Sequence, residues 1–266
     1  MTLIINEIHL RKGLSETFQI ASADRRIMRE KKVLPPKQKL FPIKHINSTI
    51  SYFGLASFYT KSGKEISLED FLKDFIRKSS WLKDVESFAI NLSETLNEEM
   101  PNANRRACHS GFHISCYHPN GLPDFYYFSN IKGMNETEYF GFMDTYTVPS
   151  SHFLKADAIN HYKWDGINPL SAIGPGRIYR NGDIRTHAIV SESLDNSMKQ
   201  ILEFQDFKKI KSKEEYADYV KFKFEFISYL YKNWANQKVI SRPIDVFILT
   251  KDGILEKKKS KWKYIN

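Results

Sequence analysis

The chain has few cysteines, no long apolar run and no signal-like beginning. Its 266 residues include two cysteines, which are too few for a disulfide scaffold. The chain does not open with a basic segment followed by an apolar one, so we expect no secretory signal peptide. No apolar run approaches the roughly 20 residues that a bilayer-spanning helix needs. These absences favour a protein of the reducing cytoplasm that has no contact with a membrane.

Residues that could bind a metal or a phosphate do not form a recognisable motif. Soft ligands cluster on one predicted hairpin, at Cys108-His109 and at His113-x-x-Cys116-x-His118. Alternate strand residues point to opposite faces, so Cys116 and His118 share a face that excludes His113. No complementary pair follows downstream to complete a zinc site. Gly174-Pro175-Gly176 is not followed by the Gly-Lys-Ser/Thr of a phosphate loop. We therefore expect no metal and no cofactor.

The formal charge of +9 suggests nucleic acid as one candidate partner. Basic residues are spread over 25–32 and 208–213, and the run Lys257–Lys263 carries Trp262 inside it. Charged runs are common at chain ends, where they are solvated. We expect a lysine-rich surface and no nucleic-acid partner, with a basic nucleic-acid-binding module as the alternative.

The first half of the chain predicts strands, then a helical pair, then strands. Alternating apolar runs predict hairpins over 3–10 with 17–23, over 39–43 with 48–58, and over 111–118 with 124–131. Ser67 and Asp84 are suited to cap two helices whose apolar residues recur at helical spacing. Met100-Pro101-Asn102 ends the second helix.

The second half is irregular before it becomes helical again. Residues 132–185 carry many aromatic and turn-forming residues, and we expect loops, short strands and a short helix near 153–162. Regular structure returns at Ser193 with one helix, followed by a second over 213–236. A hairpin with an Asp252-Gly253 turn closes the chain. No linker divides the sequence, so we expect one domain over 1–266 with an irregular insertion around 132–185.

The element order indicates the α/β (α+β) class. Runs of strands need a covering layer on their apolar faces. Two helical pairs and strands enough for two antiparallel sheets predict a four-layer αββα sandwich, in which both sheets lie between helical layers.

Four short elements resemble those of the N-terminal nucleophile (Ntn) hydrolases, specifically the proteasome β-subunit-like peptidases and their bacterial relatives without a propeptide. The matching elements are Thr2 after the initiator methionine, Ala23-Asp24-Arg25-Arg26, Lys39-Leu40-Phe41-Pro42-Ile43, and Gly54. The closing segment from Pro243 to Ile254 is also similar to the last hairpin of that family.

The resemblance implies an N-terminal-threonine peptidase. Removal of Met1 would expose Thr2, whose hydroxyl is the nucleophile and whose α-amine is the base. Lys39 would lower the pKa of the Thr2 amine and hydroxyl, and Asp24 would orient Lys39. The backbone N–H of Gly54 would stabilise the oxyanion. The resemblance further implies a peptide or protein substrate and a ring-like homo-oligomer, and it leaves open whether an ATPase assists it.

Each of these residues also has a plain structural interpretation. Thr2 is a common second residue, Lys39 fits a surface loop, and Asp24 and Gly54 fit the ends of strands. The chain departs from the family in having Thr2-Leu3 instead of Thr-Thr and a longer first hairpin. Gly174-Pro175-Gly176 stands where Gly-Ser-Gly is expected. Ser241-Arg242-Pro243 stands where Asp-x-x-Ser-Gly-Gly is expected. The resemblance therefore implies Ser241 from this segment, and Arg26 from the second element, as supporting residues. A catalytically inactive scaffold subunit of the same fold is therefore the second hypothesis.

Overall fold

The computed structural model describes residues 2–11, 16–29, 32–107, 109–132, 134–135, 138–139, 143–154, 177–203, 210–258 and 261–265. These residues form a mixed α+β structure with several antiparallel sheets and five α-helices. The mixed class that the sequence predicts is therefore confirmed. The loop at 12–15, most of the short helix expected near 153–162, and Gly174-Pro175-Gly176 lie outside the described residues.

Sheet I has six antiparallel strands in the order β14-β1-β2-β15-β16-β17. Its strands are β1 (Leu3–Arg11), β2 (Glu16–Asp24), β14 (Arg177–Gly182), β15 (Ile244–Thr250), β16 (Gly253–Lys258) and β17 (Lys261–Tyr264). The first predicted hairpin and the closing hairpin thus lie side by side, with Val246 of β15 opposite Ser22 of β2.

Sheet II has five antiparallel strands in the order β13-β10-β9-β6-β5. Its strands are β5 (Leu40–Ile43), β6 (Ser48–Phe53), β9 (Gly111–Tyr117), β10 (Pro123–Ser129) and β13 (Ser150–Ser151). A 3₁₀ turn over Lys44–Ile46 joins β5 to β6, with Asn47 in the left-handed conformation after it. Three two-stranded ribbons complete the described strands: β3 (Ile27–Arg29) with β4 (Lys32–Leu34), β7 (Ser57–Tyr59) with β8 (Glu65–Ser67), and β11 (Met134–Asn135) with β12 (Glu138–Tyr139).

The five helices are α1 (Leu68–Lys78), α2 (Val85–Glu99), α3 (Asn102–Ala107), α4 (Ile184–Ile201) and α5 (Lys213–Trp234). The two predicted caps are present, because the side chain of Ser67 accepts from the N–H of Asp70 and that of Asp84 from the N–H of Ser87. Ser212 and Glu215 form a reciprocal capping box at the start of α5. No described helix is both long enough and apolar enough to cross a membrane.

Two predictions for the second half are wrong. Helix α4 begins at Ile184 instead of Ser193, and it follows directly on β14, which belongs to sheet I. The described part of the basic run 257–263 is not a solvated tail, since it forms strands β16 and β17. Two of its lysines are also paired, Lys257 with Asp218 and Lys258 with Glu256.

Apolar side chains form three main contact regions. Helices α1 and α2 cover one face of sheet II, where Leu72 and Phe88 join Ile114 in a buried cluster. Helices α4 and α5 cover one face of sheet I. A third cluster contains side chains of both sheets, including Ile4 and Leu40. Both faces of β1 are consequently buried, and its apolar residues alternate between the helical side and sheet II.

Candidate active site

Thr2 and Asp24 lie next to each other because of the hairpin that β1 and β2 form. Ile4 of β1 is opposite Ala23 of β2, so Thr2 at the start of one strand meets Asp24 at the end of the other. Lys39 directly precedes β5 in sheet II, and its carbonyl accepts a hydrogen bond from the N–H of Tyr52 on β6. The candidate site therefore lies where the two sheets approach each other.

Asp24 is completely buried and accepts hydrogen bonds with both carboxylate oxygens. Its Oδ1 accepts from the Thr2 hydroxyl at 2.5 Å and from the Leu3 N–H at 2.9 Å. Its Oδ2 accepts from the N–H of Arg26 at 2.8 Å. Asp24 is thus more than a turn residue at a strand end, because its carboxylate fixes the backbone and the hydroxyl at the start of β1.

Lys39 is buried beside the same hydroxyl and is only 2% exposed. Its ammonium donates to the Thr2 hydroxyl oxygen and to the carbonyl of Arg26, and its Nζ lies 3.3 Å from Asp24 Oδ1. Burial lowers the pKa of the Lys39 ammonium from 10.5, and the negative charge of Asp24 opposes that shift. The interpretation of Lys39 as a surface lysine is therefore wrong.

Gly54 follows β6 with a φ of +87°, a backbone conformation that side chains disfavour. A Cβ built on Gly54 would lie 1.8 Å from the carbonyl oxygen of His109. Glycine is therefore the residue that this close backbone approach permits. Burial lowers the pKa of the His109 imidazole.

The two predicted supporting residues contact each other and not Thr2. Nε of Arg26 donates to the hydroxyl of Ser241 at 2.8 Å, while neighbouring Arg25 makes a bidentate pair with Asp245 at 2.7 and 2.6 Å. These contacts join the end of β2 to the segment that enters β15. They hold Asp24 in place from outside the cluster.

Sequence reasoning missed the segment that holds the backbone of Thr2. The N–H of Asp183 donates to the Thr2 carbonyl at 2.9 Å. Gly182 has a φ of +98°, and a Cβ there would lie 1.6 Å from the same carbonyl oxygen. The Asp183 carboxylate in turn accepts a hydrogen bond from the hydroxyl of Tyr231 on α5. Gly182 stands two residues before α4, nearer to this helix than the glycines at 174 and 176. Its position is the sequence signal for a close backbone approach before the helix.

A buried polar network between the sheets adjoins this segment. Nδ1 of His113 and Nδ2 of Asn6 are 2.8 Å apart, and Nε2 of His113 is hydrogen-bonded to Asn181. The hydroxyl of Ser115 donates to Asn6 Oδ1 at 2.9 Å. Burial lowers the pKa of His113 to about 3, so the imidazole is neutral near pH 7. His113 therefore acts as a neutral link between β9 and β14.

The remaining candidate ligands are dispersed. Cys116 packs into the cluster under α1 and α2, whereas His113 faces sheet I, which agrees with the predicted alternation along β9. His118 pairs with Asp124 at 3.0 Å. Within the described ranges, no group of three or more histidine, cysteine or acidic side chains could hold a metal ion. Cys108 lies outside those ranges.

No protein-family model matches the chain, and no curated protein sequence matches it. The chemistry inferred for the site therefore depends on the geometry of its residues.

Proposed function

We propose that the chain is an N-terminal-threonine hydrolase of the proteasome-like Ntn type, acting on peptide bonds. The observation that carries this proposal is the buried cluster around one hydroxyl. Thr2 Oγ1 is hydrogen-bonded to Lys39 and to Asp24, and Asp24 also lies 3.3 Å from Lys39 Nζ. Burying a charged pair beside a hydroxyl carries a desolvation penalty, and perturbed groups of this kind concentrate at functional sites.

The order of the apolar clusters supports the fold that this proposal requires. One cluster joins α1 and α2 to sheet II, one joins α4 and α5 to sheet I, and one lies between the sheets. A four-layer αββα sandwich accounts for all three clusters. In that arrangement, the hydroxyl at the start of β1 lies at one end of the space between the sheets.

The first proposed step is acylation of Thr2 after Met1 has been removed. The hydroxyl oxygen forms a bond to the substrate carbonyl carbon, and its proton passes to the α-amine of Thr2. The ordinary pKa of an α-amine, about 7.7–8.0, suits this role near neutral pH. The ammonium of Lys39 favours the developing alkoxide through its hydrogen bond to the hydroxyl oxygen.

The resulting tetrahedral intermediate places a negative charge on the former carbonyl oxygen. In this proposal, the backbone N–H of Gly54 donates to that oxygen. The C–N bond of the substrate then breaks, and the leaving amine takes the proton from the α-ammonium of Thr2.

Water completes the reaction by hydrolysing the ester on Thr2. The α-amine accepts a proton from the attacking water as the water oxygen bonds to the acyl carbon. The bond between the acyl carbon and Thr2 Oγ1 then breaks, the α-ammonium returns the proton to Oγ1, and the acid product leaves. The hydroxyl is regenerated with its hydrogen bonds to Asp24 and Lys39.

An inactive scaffold subunit is the second candidate, and the burial of Thr2 favours it. Thr2 is only 4% exposed, and its hydroxyl proton is already donated to Asp24. Both candidates are compatible with a ring-like homo-oligomer, so assembly does not discriminate between them.

Intact mass spectrometry and covalent labelling test the proposal together. We expect the mature protein to lack Met1, and a peptidyl β-lactone to modify Thr2. Thr2→Ala should abolish labelling and peptide hydrolysis while the protein stays folded, and Thr2→Ser should retain part of both. A mature protein that keeps Met1 would refute the catalytic proposal. Loss of Met1 without any labelling would favour the scaffold.

A further inference from the structure

Gly54 depends on a neighbouring backbone segment for its position. The Cβ position of Gly54 is occupied by the carbonyl oxygen of His109, with the Cα of Ser110 only 2.9 Å away. The next residue, Gly111, is equally confined, because a Cβ there would lie 2.7 Å from the Phe53 ring and 2.9 Å from Ser129 Cβ. Residues 109–111 are thus packed between the end of β6 and the end of β10. A shift of this segment would shift Gly54.

Asn130 holds that segment with its side-chain amide. Its Oδ1 accepts from the N–H of Ser110 at 2.7 Å, and its Nδ2 donates to the carbonyl of Arg105 at 2.7 Å. The amide therefore joins the two ends of the connection from α3 to β9. Asn130 is completely buried, which makes the loss of either bond unfavourable.

The backbone of Asn130 strengthens the same connection. Its N–H donates to the Ser110 carbonyl at 3.2 Å, and its carbonyl accepts from the N–H of Met143 at 2.7 Å. The hydroxyl oxygens of Ser110 and Tyr146 lie 2.7 Å apart, and the Tyr146 N–H donates to Asn97 on α2. The segment beside Gly54 is thereby held from several sides, with Asn130 at its centre.

We infer that Asn130 is a positioning residue for the oxyanion donor, acting on Gly54 through His109 and Ser110. This inference rests on the proposed function, since it assigns Asn130 to the same site. An oxyanion donor must be placed before the reaction begins, because its contribution depends on its distance and direction to the developing charge. Asn130 supplies that placement without touching the substrate.

The test compares Asn130→Asp with Asn47→Asp. Each change keeps the side-chain shape but removes an N–H donor to a backbone carbonyl, of Arg105 in one case and of Thr250 in the other. Asn47 lies in the turn after β5, at the other end of that strand from Lys39. Aspartate also tolerates the left-handed backbone of Asn47. The control therefore has the same chemistry away from the site.

We expect Asn130→Asp to lower kcat about 10- to 100-fold with KM changed less than about threefold, as for a displaced catalytic group. Asn47→Asp should leave both constants near wild type. Amide hydrogen exchange should become faster over 53–57 and 105–111 in Asn130→Asp alone. Equal kcat in the two variants, or unchanged exchange at 53–57, would overturn the inference.

Tyr146→Phe provides the test if Asn130→Asp does not fold. It removes the bond to the Ser110 hydroxyl but keeps the ring, so exchange at 53–57 should rise and kcat should fall severalfold. Unchanged values of both would overturn the inference. Faster exchange at 53–57 in a protein whose wild type hydrolyses nothing would refute the proposed function and leave the positioning of Gly54 supported.

Discussion

Replacing Lys39 by Met removes the buried cation and keeps a side chain of similar length. The ammonium donates to the Thr2 hydroxyl oxygen and to the Arg26 carbonyl, and it lies 3.3 Å from Asp24. Lys39→Met takes away all three contacts and leaves Asp24 as an uncompensated charge. Breaking a buried pair by removing one partner lowers the free energy of unfolding by about 3–5 kcal/mol. Asp24 still accepts hydrogen bonds from Thr2, Leu3 and Arg26, so we expect the free energy of unfolding to fall by about 3 kcal/mol.

Asp24→Asn leaves the opposite charge unpaired. The Lys39 ammonium then loses the negative charge that favours its protonated form. The new amide group must also direct its N–H groups at an N–H or O–H that donates to the Asp24 carboxylate in the wild type. We expect this variant also to lose about 3 kcal/mol, and the double variant to lose about 4 kcal/mol instead of about 6. The interaction free energy between the two positions is then about 2 kcal/mol, within the range of directly coupled residues.

Urea unfolding of the four proteins at pH 7 measures this interaction free energy. The pair Lys73–Glu69 on α1 is a suitable control, because its lysine side chain is 51% exposed and its Nζ–Oε1 distance is 2.7 Å. Its interaction free energy should be about 0.5 kcal/mol or less. An interaction free energy between Lys39 and Asp24 no larger than that of the control would refute the reasoning.

The pH dependence gives an independent check on Lys39. Because its pKa is lower in the folded state than the ordinary 10.5, the unfolded state binds more protons between those two values. Stability should therefore rise with pH through that window, up to pH 10.5. Lys39→Met lacks the titrating group, so its stability should rise less over the same range.

Two further predictions concern buried titratable groups away from Thr2. Burial acts to raise the pKa of Glu7, but the charge of Lys223 and the hydrogen bond with His9 outweigh it and lower the pKa to about 2. Lys223→Met should therefore lower the free energy of unfolding by about 3–5 kcal/mol in urea and move acid unfolding to higher pH; unchanged acid unfolding would contradict this. For His113, the lowered pKa means that stability falls as pH drops from 6.5 towards about 3. His113→Gln should reduce that slope in urea midpoints measured from pH 7 to pH 4, and an identical slope would show that another group is responsible.

The positions of Thr2, Asp24 and Lys39 at the ends of β1, β2 and β5 are predictable because their sequence signals are local. Hydroxyl, acid and lysine each stand at a strand end in the sequence, and regular hairpins bring such ends together. The positive φ of Gly54 also has a local signature, since glycine is the residue that adopts it most readily.

The rest of the site depends on strand pairings and side-chain contacts that no local sequence pattern indicates. Strand β14 lies at the edge of sheet I, and its residues are only partly buried, so it has no clear apolar alternation. Helix α4 begins nine residues before the predicted Ser193, and the side chain of its N-cap residue, Asp183, makes no capping hydrogen bond. Strand β17, Lys261-Trp262-Lys263-Tyr264, alternates at strand period, but its charge is equally typical of a solvated chain end. Asn130 acts through contacts between residues 20 and 25 positions apart, which no local pattern encodes.

The Asp24–Lys39 pair also joins the two sheets, because Asp24 ends β2 in sheet I and Lys39 precedes β5 in sheet II. A purely structural junction would not need charges, since replacing a buried pair by apolar residues of similar volume is often neutral or stabilising. Apolar residues at 24 and 39 would also leave the Thr2 hydroxyl without partners. The arrangement is explained more simply if the function of the pair is to bind and orient the Thr2 hydroxyl. Local deviations from the most stable choice of residues are expected where a site is held ready for chemistry.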